Sequence, residues 1–191
     1  MNDRPWSTGI TPRGIVLGIS CLLAIPPIGD MQPVLARESD TPTAARRLTA
    51  GGMTVDLRPV GSDFECTLRA PTAGWVAIGF NSRPGLTGTN LIMAEVLPDG
   101  RVELSDRFIF GPGDHRAIGP PKAGSGSLKL ISGREEARAA GIYTEIRFRV
   151  ALRPADRYHH DLTRRELYLL MAYSQADDFG HHSMMRTERK L

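Results

Sequence analysis

Gly141-Ile142-Tyr143-Thr144-Glu145-Ile146-Arg147-Phe148-Arg149-Val150-Ala151-Leu152 decides the fold class of this chain. Extended backbone sends successive side chains to opposite faces. Ile146, Phe148, Val150 and Leu152 therefore share one face, and Glu145, Arg147 and Arg149 share the other. That is a strand with one wet side and one dry side.

The same period runs upstream. Met53–Val60 (MTVDLRPV) and Asp63–Ala70 (DFECTLRA) alternate in the same way, with Gly61-Ser62 between them as a tight turn. Asn90–Leu97 (NLIMAEVL) is followed by Pro98-Asp99-Gly100 and then Arg101–Ile109 (RVELSDRFI). Proline presets φ and glycine accepts positive φ, so this tripeptide is a hairpin turn. Gly74–Phe80 (GWVAIGF) is apolar on both faces and reads as a central strand. Ser127–Ser132, Leu167–Tyr173 and Met184–Leu191 supply further strands, and Gly111–Gly126 reads as a long Gly/Pro loop. Only Arg134–Ala140 (REEARAA) has helical composition. Short strands, regular turns and no long helix predict an all-β fold. The expectation is a single antiparallel immunoglobulin-like β-sandwich of about nine to eleven strands.

The amino-terminal segment reads differently. Arg4 and Arg13 precede an apolar stretch from Gly14 to Ile28, and Val34-Leu35-Ala36 offers a small-residue exit. Basic start, apolar middle and small-residue end are the anatomy of a secretory leader, placed at residues 1–36. Residues 37–49 read as a flexible polar lead-in, and 50–191 as the folded domain. Without the leader Cys66 is the one remaining cysteine, so no internal disulfide is expected; it reads as a buried, inert thiol. An exported protein without disulfides points to a periplasmic or secreted location.

The formal net charge is +3, and the basic residues are scattered rather than arrayed with aromatics, so a nucleic-acid partner is not expected. Neither a nucleophile elbow nor a phosphate loop is present, and Glu135-Glu136 and Asp177-Asp178 are adjacent carboxylates that point apart. The chain reads as a non-enzyme. Its densest chemistry lies near the carboxyl terminus, in Asp177-Asp178-Phe179-Gly180-His181-His182-Ser183-Met184-Met185. Imidazole nitrogen and thioether sulfur are ligands for haem iron and soft metals. The other features read as structural: Trp75 as a core aromatic, Met93 as a strand methionine, Asp106 as a loop anchor through backbone hydrogen bonds, and His159-His160-Asp161 as a surface loop.

The order of these pieces resembles the DOMON family. The residues that carry the resemblance are Gly74–Phe80, Gly88-Thr89-Asn90-Leu91-Ile92-Met93, the Asp-Gly turn, Ser105-Asp106-Arg107, the Gly141–Leu152 strand, and Ala172-Tyr173 with Asp177-Asp178-Phe179 and His182. Members are extracytoplasmic β-sandwiches, some of which bind a b-type haem between a methionine and a histidine. The resemblance implies haem b and electron transfer, with a membrane or periplasmic redox partner. It places the iron-ligating histidine at His182, with His181 as competitor, and the methionine at or next to Leu86. Leucine has no lone pair to offer iron. Met93 is the other thioether near that position, and His115 from the long loop is a possible second imidazole. The alternative expectation is a haem-free sandwich that binds a sugar or other small molecule, or a partner protein, in the same place.

Overall fold

The computed structural model describes residues 44–118, 128–153 and 156–191. The leader reading for residues 1–36 lies outside the described residues. Eleven strands follow in order: β1 (Arg46–Ala50), β2 (Met53–Val60), β3 (Asp63–Ala70), β4 (Val76–Asn81), β5 (Asn90–Val96), β6 (Val102–Gly111), β7 (Asp114–Ala117), β8 (Leu128–Arg138), β9 (Gly141–Ala151), β10 (Tyr168–Tyr173) and β11 (Met185–Lys190). One sheet has the order β1-β2-β3-β9-β8 and the other β11-β10-β4-β5-β6-β7, with every pairing antiparallel. The all-β sandwich expected from the alternation is the fold observed.

The core lies where the alternation puts it. Val55, Leu57, Cys66, Leu68, Ile146 and Phe148 from the five-stranded sheet meet Val76, Ile78, Phe80, Ile92, Leu169 and Met171 from the six-stranded one. Each such side chain contributes about 1.5–3 kcal/mol by leaving water. Cys66 is fully buried, and burial pushes its thiol up, which keeps it an unreactive thiol.

Three local expectations give way to the structure. Arg134–Arg138 is not helical but completes β8, because pairing of Glu135 with Thr144 and Glu136 with Tyr143 outweighs a helix preference of a few tenths of a kcal/mol per residue. The long loop contains β7, whose His115 pairs with Ile109. The lead-in turns to strand at Arg46, where Arg47 Nε binds Asp56 Oδ1 at 2.5 Å and Leu48 pairs with Val55.

The outer faces of the two sheets differ. On the five-stranded sheet Arg58, Arg147 and Arg149 close on Glu65 at 2.6, 2.9 and 3.2 Å, and Arg69 joins Glu145 at 2.5 Å to Asp56 at 2.8 Å. The Arg147 contact leads in holding Glu65 below its ordinary carboxylate range. This is the polar exterior expected of a sandwich. The six-stranded sheet instead presents Ala77, Leu91, Met93, Ile109, Leu170 and Ala172 outward, all buried, as a second apolar cluster beneath Trp75, Leu86 and Phe179. An apolar outer face under a roof of loops marks the place to look for a ligand.

Candidate functional site

The floor of the site follows from strands that are apolar on both faces. The register sets Ala77 opposite Met93 and Ala172, so small residues from β4 and β10 flank a buried methionine from β5. Over this floor lies a cavity of about 160 Å³ bounded by Trp75, Leu86, Met93, Ile109, His115, His181, His182 and Arg186, among others. The four residues expected to form a site, Leu86, Met93, His181 and His182, thus line one cavity although they come from three separate parts of the chain.

One wall is the loop from Asn81 to Gly88. Asn81 is buried, and its side-chain amide donates to the carbonyls of Gly85 and Thr87 at 3.0 and 3.3 Å and to Thr89 Oγ1 at 3.1 Å. Gly85 adopts φ 104°, which residues with a Cβ rarely do, and its N–H donates to Glu188 Oε2 at 2.9 Å. The Leu86 carbonyl accepts from the Thr89 N–H at 3.1 Å, and the His160 imidazole donates to the Gly88 carbonyl at 2.8 Å. Leu86 is held in place on both sides.

The opposite wall is the turn between β10 and β11. Asp178 Oδ1 accepts from the Gly180 N–H and its carbonyl from the His181 N–H, each at 2.8 Å. Ser174 Oγ donates to the His182 carbonyl at 3.1 Å. Thr72 Oγ1 donates to the Ser174 carbonyl and accepts from the Gly74 N–H at 2.9 Å. Both imidazoles are exposed at the cavity rim.

His115 lines the cavity, but its Nδ1 accepts from Arg107 Nε at 2.9 Å. Its remaining nitrogen, Nε2, therefore carries the proton and has no lone pair to give a metal. Burial and then the Arg107 charge hold His115 below the ordinary histidine range, so the neutral form persists. His115 is thus held by Arg107 at the cavity edge. Besides His115, the metal donors lining the cavity are the two rim imidazoles, the Met93 thioether and the Asp114 carboxylate, which is paired with Arg116, and the described residues contain no group of three or more His, Cys, Asp or Glu that could hold a metal ion.

Three residues differ from their sequence reading. Trp75 is buried, yet it lines the cavity and its indole Nε1 has no hydrogen-bond partner. His159 is not a surface-loop residue: its Nε2 lies 2.8 Å from Asp106 Oδ2 and its Nδ1 2.8 Å from Asp156 Oδ1, with the ring 9% exposed. Asp106 works through side chains rather than backbone, its Oδ1 accepting from Asn90 Nδ2 at 2.7 Å. Glu95, not singled out by spacing, is buried with Oε2 unpartnered. Burial, with Glu103, Asp177 and Asp178 nearby, pushes its carboxyl up to about 7. The signal for Glu95 was a lone carboxylate inside an otherwise apolar strand.

The fold is an antiparallel β-sandwich whose loops wall an apolar cavity on the outer face of the six-stranded sheet. Residues 51–174 match the DOMON domain, and the chain belongs to that family. It is 30% identical over 110 residues to DBH-like monooxygenase protein 2 of Mus musculus, covering 58% of this chain and 16% of that protein. Against the putative DBH-like monooxygenase protein 2 of Homo sapiens it is 30% identical over 122 residues, or 64% of this chain and 22% of the relative. The chain therefore spans less than a quarter of either curated relative. Among solved structures, the cytochrome b domain of pyranose dehydrogenase from Coprinopsis cinerea shares the fold, with a TM-score of 0.56, 12% identity and coverage of 76% of this chain and 80% of that one.

Proposed function

We propose that this chain is an exported, non-catalytic DOMON module that binds a flat, largely apolar ligand in the cavity on the outer face of its six-stranded sheet. The observation that carries the reading is that sheet face: a buried patch of Ala77, Leu91, Met93, Leu170 and Ala172 roofed by two anchored loops. Small residues let a planar body lie close to the backbone, and the rim imidazoles with Arg186 can take its polar edge.

The first occupant to test is b-type haem. His182, or His181 beside it, would supply an imidazole to the iron, while Leu86 and Met93 would pack on the ring. Bound haem supplies a one-electron iron couple. Leu86 on the facing wall offers no ligand and His115 has committed its lone pair to Arg107, so the residues fit a singly ligated haem better than a doubly ligated electron carrier. Titration of the purified protein with haemin tests this. A Soret band lost in a His181→Ala/His182→Ala double variant supports haem; no band at stoichiometric haemin removes it.

The second reading, a haem-free module for a small organic ligand, is favoured by the unpartnered Trp75 indole at the cavity wall. Export itself is carried by the leader pattern in residues 1–36, and detection of the protein in a periplasmic or culture-medium fraction tests it.

A further inference from the structure

Basic residues that are scattered along the sequence are gathered by strand pairing on the outer face of the five-stranded sheet. The register lays Arg47, Asp56, Thr67 and Arg147 in one row, and Arg69, Glu145 and Arg134 in the next. Arg58, Glu65 and Arg149 make a third. An open groove runs over these rows, lined by six arginines, Arg46 among them, and by three carboxylates, Asp56, Glu65 and Glu145. That surplus of three positive charges equals the formal net charge of the whole chain, so the remainder of the chain is balanced.

The carboxylates are fully engaged. Asp56 accepts from Arg47 at 2.5 and 3.0 Å and from Arg69 at 2.8 Å, and Glu145 meets Arg69 at 2.5 Å and Arg134 at 3.0 Å. Glu65 is 6% exposed and takes Arg58 and Arg147 on one oxygen and Arg149 on the other. The arginines are not saturated. Each guanidinium has five N–H groups, yet Arg58, Arg134 and Arg147 meet their carboxylates through Nη2 alone. Arg46 has no side-chain partner among the described residues. Donors therefore exceed acceptors, and guanidiniums already held on a carboxylate lose little freedom when a second anion arrives.

The groove crosses the sheet from β1 to β8, roughly 19 Å over five strands. A small anion can meet one or two of these arginines; a polymer charged on successive units can meet them all. None of the exposed large apolar side chains, Phe110, Leu130, Ile131, Ile142 and Met184, borders the groove, so it lacks the apolar core of a protein–protein interface. No aromatic ring lines it, so the stacking that holds nucleic-acid bases is missing as well. We propose that this groove binds an acidic polysaccharide, whose carboxylate or sulfate groups accept from the forks of Arg47, Arg58, Arg134 and Arg147. The site lies on the opposite sheet from the apolar cavity and is independent of what the cavity holds.

The test is calorimetric titration of the full chain at low salt with an oligogalacturonate, a heparin oligosaccharide and neutral dextran. At least one acidic oligomer should bind, more weakly as salt rises, and dextran should not. The tighter of the two acidic oligomers identifies the anion as carboxylate or sulfate. Arg47, Arg58 and Arg134 are 61–70% exposed, and each carboxylate they leave keeps another arginine, so their joint replacement preserves the fold. Arg47→Gln/Arg58→Gln/Arg134→Gln should weaken binding about tenfold, roughly twofold per guanidinium. Arg134→Gln alone should give that twofold loss, which keeps the test sound should the triple variant be unstable. Arg101→Gln/Arg157→Gln/Arg189→Gln removes the same charge outside the groove and should change affinity less than about twofold. Equal losses in the two triple variants would reduce the binding to net charge and overturn the groove. Failure of both acidic oligomers to bind overturns it too. Duplex DNA that binds more tightly than either oligosaccharide overturns the polysaccharide assignment.

Discussion

The imidazole Nε2 of His159 lies 2.8 Å from Oδ2 of Asp106, a residue fifty-three positions earlier, and both side chains are more than nine-tenths buried. Asp106 sits on β6 beside Asn90 of β5, and His160, next in sequence, bonds to the Gly88 carbonyl. The pair thus fastens the connection before β10 to the strands that carry the cavity's Leu86 wall.

The Asp106 hydrogen bond, against the opposing effect of burial, raises His159 to about 8 from an ordinary 6.5. A base whose folded-state pKa is raised binds more protons when folded, so its stabilisation is complete below about 6.5 and is lost as the pH rises through 8. The displacement corresponds to about 2 kcal/mol. Urea unfolding should therefore show stability falling between pH 6.5 and 8.5, and His159→Gln should flatten that part of the profile. An unchanged slope in the variant removes His159 as its source.

Glu95 acts in the same direction by a different route. Its carboxyl is raised from 4.5 to about 7, first by burial and then by Glu103, Asp177 and Asp178. The folded state holds its proton more firmly than the unfolded chain, so stability declines as the pH passes from 4.5 to 7. Glu95→Gln should flatten this acidic limb and raise stability at pH 8 by about 2 kcal/mol, since an orphaned buried charge is removed. The double variant with His159→Gln separates the two windows; a Glu95→Gln profile that parallels the parent contradicts the assignment.

How much of this was legible beforehand depends on the period of each segment. Alternation in Gly141–Leu152 specified both the strand and its buried face, because a slip of one residue would turn Phe148 and Val150 to water. Gly74–Phe80 showed apolar residues on both faces, and its second face proved to be part of the cavity floor. His181, His182 and Leu86 line one cavity with that floor. What stayed hidden was long-range pairing of polar groups. Nothing near His159 announces Asp106, and the Asn81 amide finds its acceptors only once the loop has folded back. The strand at Arg134–Arg138 was equally invisible, since its cause is β9 and not its own composition.

Gly74, just before β4, packs tightly against the turn that follows β10. A Cβ there would lie 2.5 Å from the Ala176 nitrogen and 2.6 Å from the Ser174 carbonyl oxygen, and backbone atoms cannot yield as a side-chain tip can. Gly74→Ala should cost about 1–3 kcal/mol in thermal or urea unfolding. It should also displace the turn that carries His181 and His182, seen as shifted amide resonances from Gln175 to Ser183. A variant with parental stability and an unmoved turn refutes this account of the contact.

Leu86 offers the sharpest test of the cavity's chemistry. Leucine and methionine have similar volumes, and exchanges between them in packed surroundings usually cost less than about 1.5 kcal/mol. The loop that holds Leu86 is fixed by Asn81 and by the Thr89 N–H on the Leu86 carbonyl, so the backbone should not move. Leu86→Met therefore places a thioether on the wall facing His182 with little effect on the fold. Haemin added to the parent should give a singly ligated, high-spin spectrum. In Leu86→Met it should shift to the low-spin spectrum of histidine–methionine ligation and to a higher reduction potential. Identical spectra for parent and variant would mean that Leu86 and His182 do not face each other across a bound haem.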